Sequence, residues 1–289
     1  MDNQTWWKKL GRSLSASASW IFEGLNPLGL INILVPKHRY DKQGGLSYGP
    51  QGRQKLDIYV PQGKARDLPV VVFFYGGSWQ WGRRQDYRFV AQALAALGFI
   101  VVIPDYRVYP EVVFPAFIED GASAVAWVHS NVSDFGGDAS RLFLIGHSAG
   151  AYIAAMLALN SSYLNHAGMS AEELQGFVGL AGPYDFLPLK SPKLIEIFGG
   201  ADGIPETQPV NFVRAKAPPA LLLHGARDKL VGCYNTEHLA QRLREAGGRV
   251  VEKIYPGMKH IQLLIALATP FQNGEPVMAD IAQFINDTN

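Results

Sequence analysis

Cysteine occurs once in the 289 residues, at position 233. A single thiol excludes an intramolecular disulfide and any cysteine-cluster metal site. Charge of one sign is not in excess either: 26 basic against 25 acidic side chains leave a formal +1. That balance argues against a nucleic-acid partner, which normally draws a strongly basic surface. No apolar run reaches the roughly 20 residues of a membrane-spanning helix. The best stretch, 14–35, is interrupted by Glu23, Asn26, Pro27 and Asn32. HExxH, P-loop and dinucleotide fingerprints are missing, so no metal or organic cofactor is expected. Repeats and low-complexity tracts are missing too, which sets aside solenoids and disordered scaffolds.

What remains is a globular composition, 48% hydrophobic and 18% charged. A chain of this length can bury a large core without staples. Residues 1–36 stand apart, with Trp6, Trp7, Lys8, Lys9 and Arg12 ahead of the broken apolar stretch. The segment reads as an N-terminal helical extension packed on the domain, with peripheral membrane contact through the Trp pair as the other use. It makes a poor signal peptide, because Glu23 falls where cleavage would begin, and a cytoplasmic location is expected.

From residue 56 the pattern is regular, within a main domain expected over 37–289. Strands are expected at 56–60, 70–75, 99–104, 141–145, 176–180, 220–224 and 249–255. Helices are expected at 85–97, 116–131, 149–160, 235–245 and 275–286. The runs at 70–74 and 100–103 lack polar alternation, as in parallel strands covered on both faces. Alternating strands and helices predict a layered α/β fold with a mostly parallel central sheet. The Pro- and Gly-rich stretch 187–219 reads as a small cap insertion.

Gly146-His147-Ser148-Ala149-Gly150 follows one of these strands and opens an Ala-rich helix. A strand-to-helix turn this tight strains the backbone at the serine and tolerates only small residues two positions to either side. Ser148 is therefore the candidate nucleophile. A serine hydroxyl needs an oriented base, and loops at strand carboxyl ends carry the chemistry of α/β sheets. Among seven histidines, His260 sits in such a loop after the last strand. His224 ends a strand and is assigned a supporting role. The third member must be a carboxylate between serine and base in chain order. Asp228, in the loop after strand 220–224, meets this better than Asp185 or Asp202, which lie in or beside the cap. Gly76-Gly77-Ser78-Trp79 follows the buried strand at 70–75, so the amides of Gly77 and Ser78, with that of Ala149, are the candidate oxyanion hole. Trp79, Trp81 and Phe198 are candidates for the substrate pocket.

These residues, with Asp105-Tyr106-Arg107-Val108-Tyr109-Pro110-Glu111, Phe114-Pro115-Ala116 and Asp120, form a set. The set resembles the α/β-hydrolase esterases and lipases, in particular hormone-sensitive-lipase-like carboxylesterases and arylformamidase-like enzymes. The resemblance spans residues 56–286. It implies a serine hydrolase acting on a small-molecule ester through an acyl-enzyme. The same residues also serve N-formyl amide cleavage, and some members of the fold are non-catalytic ligand binders. Tyr75 stands where the family usually has histidine, with its hydroxyl or its packing available to organise the oxyanion loop. An internal ion pair between Arg107 and Glu111 is expected, with Asp120 as an ordinary helix residue.

Overall fold

The apolar runs at 70–74 and 100–103 emerge as neighbouring parallel strands, with every side chain from Val70 to Phe74 and from Ile100 to Ile103 fully buried. Burial on both faces is what a parallel sheet requires, since helices cover each side. The computed structural model describes residues 31–32, 40–63, 66–200, 204–268 and 276–288. The expected extension over 1–36 lies almost wholly outside these residues, as do His38 and Asp202.

Eight strands form one sheet: β1 (Tyr40–Ser47), β2 (Lys55–Pro61), β3 (Leu68–Phe74), β4 (Ile100–Pro104), β5 (Gly137–His147), β6 (Leu174–Leu180), β7 (Ala220–Gly225) and β8 (Val250–Tyr255). Their spatial order is β1-β2-β4-β3-β5-β6-β7-β8. The β1–β2 and β2–β4 pairs are antiparallel and the others parallel. Around it lie α1 (Arg88–Ala96), α2 (Ala116–Asn131), α3 (Ala149–Leu159), α4 (Ser161–His166), α5 (Pro192–Ile197), α6 (Tyr234–Glu245), α7 (His260–Ile265) and α8 (Val277–Asp287). Among the described residues no helix is long and apolar enough to cross a membrane.

Helix α3 is buried along its whole length. A helix apolar on all sides belongs in the interior, and its alanines let it lie close to the sheet. Strand β1 was not expected from sequence. It is an edge strand, largely exposed, with a bulge between Gly44 and Leu46, so it carries little apolar periodicity. Between β6 and β7, where the cap was expected, lie α5 and two short 3-10 turns, Pro205–Thr207 and Pro209–Phe212.

Candidate active site

The strand β5 ends at His147 and α3 begins at Ala149, so Ser148 alone makes the turn. Its backbone takes φ 55° and ψ −122°, a left-handed conformation that costs a non-glycine residue about 1–3 kcal/mol. The neighbouring glycines make the turn possible. A Cβ on Gly146 would lie 2.2 Å from the Gly150 carbonyl oxygen, and one on Gly150 would lie 2.0 Å from that of Phe74. Both distances are below any real contact, so the two positions admit no side chain. The Ser148 amide donates to the Leu180 carbonyl at 2.8 Å, anchoring the turn to the next strand. Ala149 is the first residue of α3, where a helix leaves its N–H groups without internal partners.

The loop after β3 lies directly on this elbow. A Cβ on Gly76 would meet the Ser148 Cβ at 3.1 Å and the His147 carbonyl at 3.0 Å. Gly77, Ser78 and Trp79 follow with φ of 136°, 50° and 59°. The amides of Gln80 and Trp81 close the turn on the Gly77 carbonyl at 2.9 and 3.2 Å. A side chain at position 77 would strike the Trp81 carbonyl at 2.2 Å. The loop is thus held in one backbone shape.

Tyr75 supports the loop from beneath, and it does so by both packing and hydroxyl. Its fully buried ring is stacked between Tyr87 and Tyr106, with centroids at 5.1 and 4.8 Å. Its hydroxyl donates to Asp105 Oδ1 at 2.9 Å and accepts from Arg53 Nη2 at 3.3 Å. Arg53 also holds the carbonyls of Tyr106 and Gly82. Asp105 pairs with Arg84, Arg84 with Asp57, and Asp57 with Lys42, so a chain of alternating charge runs to the edge strand. Burial opposes ionisation of Asp57, but the hydrogen bonds from Lys42 and Arg84 outweigh it and hold its carboxyl below the ordinary value.

The expected pair of Arg107 with Glu111 is not formed. Arg107 instead forks onto Asp120, with Nη2 to Oδ1 at 2.7 Å and Nε to Oδ2 at 2.9 Å. Asp120 also accepts from the Arg107 amide and from Gln54 Nε2. Glu111 is exposed, whereas Asp120 is 1% exposed on the inner face of α2. Asp120 is therefore the internal partner of Arg107.

Asp228 and His260 arrive from the ends of β7 and β8. His260 Nδ1 lies 2.6 Å from Asp228 Oδ2. Asp228 Oδ1 accepts from the amides of Leu230 and Val231 at 2.8 and 3.0 Å. A second imidazole, His224, sits fully buried with Nε2 at 2.9 Å from the Val231 carbonyl and 3.3 Å from Asp228 Oδ2. Its Nδ1 meets Thr236 Oγ1 at 2.8 Å, the supporting position anticipated for it. Burial works against a charged Asp228, yet the bonds from His224, His260 and Val231 hold its carboxyl far below the ordinary value. A carboxylate at Nδ1 selects the imidazole tautomer with its proton there, leaving Nε2 as acceptor.

His147 packs on His260, with ring centroids 4.8 Å apart. Among the rival residues, Asp185 pairs with His238 at 2.9 Å on the surface. A cavity of about 160 Å³ lies beside Ser148, lined among others by Ser78, Trp79, Phe186, Leu194, Leu230 and Tyr234. Of the three aromatics expected in the pocket, Trp79 is in its wall. Phe198 is a correction: it stands behind Trp79, centroids 4.9 Å apart, in the aromatic core. Trp81 is a second, since it is 38% exposed and outside the cavity wall. Leu194, Phe186 and Tyr234 were not legible, because packing rather than motif brings them there. Among the described residues no group of three His, Cys, Asp or Glu is placed to hold a metal.

Comparison with known proteins is consistent across sequence and structure. The model of the BD-FAE family matches residues 56–243. An isoprenylcysteine α-carbonyl methylesterase of Arabidopsis thaliana is 30% identical over 302 residues, covering 94% of this chain and 70% of that protein. Esterase LipQ of Mycobacterium tuberculosis is 30% identical over 244 residues, 78% of this chain and 58% of the relative. The chain thus spans a little over half to about two thirds of these relatives' lengths. A truncated carbohydrate esterase from gut microbiota superposes with a TM-score of 0.76 at 20% identity, covering 88% of this chain and 98% of that one. At that identity the likeness carries the fold.

Proposed function

The chain belongs to the BD-FAE family, within the α/β-hydrolase esterases, and from that premise we propose that it cleaves carboxylic esters with Ser148, His260 and Asp228. Ser148 Oγ attacks the ester carbonyl while His260 Nε2 takes its proton. The amides of Gly77, Ser78 and Ala149 receive the negative charge on the tetrahedral oxygen. His260 returns the proton to the departing alcohol, and an acyl-serine remains. Water, deprotonated by the same imidazole, then releases the acid and restores the serine. Asp228 stays ionised throughout and stabilises the imidazolium.

The observation that carries this reading is the 2.6 Å bond from His260 to a carboxylate that burial and four donors hold in place. Its supports are the strained serine on the turn whose His147 packs against His260 and the loop after β3 seated on that turn. The relatives are named as esterases, which favours ester over N-formyl amide cleavage. The cavity of about 160 Å³ is small beside the roughly 300–1,000 Å³ of typical ligand sites. It suits a short acyl group, with the apolar rim of Leu230 and Tyr234 left for the remainder of the substrate.

Labelling with a serine-directed fluorophosphonate and turnover of p-nitrophenyl butyrate test the proposal together. Wild type is expected to label and turn over, Ser148→Ala to do neither, and His260→Ala to lose turnover. Equal labelling of wild type and Ser148→Ala would overturn it.

A further inference from the structure

The variable position of the elbow, His147, is occupied by a buried imidazole that touches three parts of the site at once. It belongs to the nucleophile turn itself. On one side its Nδ1 lies against the oxyanion loop, 3.1 Å from where a Cβ on Gly76 would stand. On the other its ring lies 4.8 Å from that of His260, inclined at 47°. Its Nε2 is 3.2 Å from the His260 carbonyl oxygen. A carbonyl only accepts, so Nε2 carries the proton and Nδ1 is bare.

From this geometry we infer that His147 is a positioning residue, the strut by which the nucleophile turn holds the loop that carries the base. The inference rests on His260 being that base. A ring only 3% exposed, packed against the imidazole of His260, has little freedom to turn. Its single donor fixes the His260 backbone, while Asp228 fixes the His260 ring. The two contacts together set where Nε2 of His260 points. Chemistry also favours an imidazole that stays neutral there. Burial, and next the neighbouring His260, lower the His147 pKa to about 3. When His260 takes the serine proton, the adjacent ring therefore adds no second positive charge and goes on donating to the carbonyl.

Two substitutions separate this role from plain packing. His147→Phe keeps a flat ring and loses the donor; His147→Gln restores an N–H at similar reach. Displacement of a catalytic group by about 1 Å costs on the order of 100-fold. His147→Phe is accordingly expected to lower kcat on p-nitrophenyl butyrate by about 10- to 100-fold with KM unchanged. His147→Gln is expected to recover most of that loss. The rate of fluorophosphonate labelling should follow kcat. Full kcat in His147→Phe overturns the inference, and so does a loss that His147→Gln fails to rescue while both variants melt earlier than wild type. An inactive wild type would instead overturn the assignment of His260 as base, and this inference with it. Activity of the wild type alongside Ser148→Ala keeps the two failures distinct.

Discussion

Asp228 Oδ2 is shared by two imidazoles, His260 at 2.6 Å and His224 at 3.3 Å. Only the first is the proposed base. The second, with the amides of Leu230 and Val231, fills the remaining lone pairs of the carboxylate. Asp228→Asn replaces an acceptor by a group that can donate, and so favours the wrong tautomer of His260. A loss of about 10⁴-fold in kcat is expected for such a change, read from initial rates of ester hydrolysis at neutral pH.

The same carboxylate gives a pH dependence of stability with a defined sign. Its folded pKa lies below the unfolded value of about 3.9. The stabilisation is therefore present above that pH and is lost as pH falls through the folded pKa. Thermal midpoints of wild type and Asp228→Asn should differ from pH 8 to 5. The gap should narrow only below about pH 4. A gap that closes near pH 6 would mean that another group dominates.

At the elbow the prediction is steric. Gly146→Ala and Gly150→Ala each put a methyl 2.2 Å or less from a backbone carbonyl oxygen. Backbone cannot move aside as a flexible side chain can. Each variant should lose stability at or beyond the upper end of the about 1–3 kcal/mol typical of overpacking, seen as reduced soluble yield and an earlier urea midpoint.

Arg107 and Glu111 can be told apart by their cost. Removing Arg107 leaves the buried Asp120 without its forked partner, a loss of about 3 kcal/mol or more. Glu111 is exposed, and Glu111→Ala should stay within about 0.5 kcal/mol. Urea unfolding of the two variants checks both values, and equal effects would contradict the pairing.

Tyr75→Phe keeps the stacked ring and deletes the hydroxyl. Asp105 still holds Arg84, so the stability cost should be about 1–2 kcal/mol. The proposed oxyanion loop loses the bonds that tie Tyr75, at its start, to Asp105 and Arg53, and kcat should fall more than KM changes. An unchanged kcat would show that stacking between Tyr87 and Tyr106 is sufficient.

The parts of the site legible in the sequence are those dictated by local backbone geometry or chain order. Gly146, Ser148 and Gly150 announce the turn because a Cβ at either glycine would strike backbone, that of Gly150 at position 146 and that of Phe74 at position 150. Asp228 and His260 follow from their places after the last strands. The parallel strands show as unbroken apolar runs because both their faces are covered. Edge strand β1 did not show, since an exposed and bulged strand needs no apolar pattern. Arg107 was matched to Glu111, its neighbour along the chain, because sequence carries no direction for a side chain. Helix α2 turns Asp120 inward, while Glu111, in the loop before it, stays exposed, which reverses that choice. The aromatics were misjudged for a related reason, since Phe198 and Trp81 resemble Trp79 in chemistry and differ only in depth.

The order and type of the parallel strands and main helices, the tight turn at Ser148 and the candidates for base, carboxylate and oxyanion support follow from the sequence itself, through short-range sterics, hydrophobic periodicity and chain order. Tertiary structure alone decided which charges meet, which aromatic faces the cavity, and that Tyr75 is clasped between Tyr87 and Tyr106. It also laid His147 against His260. These contacts join residues distant in the chain, and their energies depend on distances and burial that exist only once the sheet is assembled.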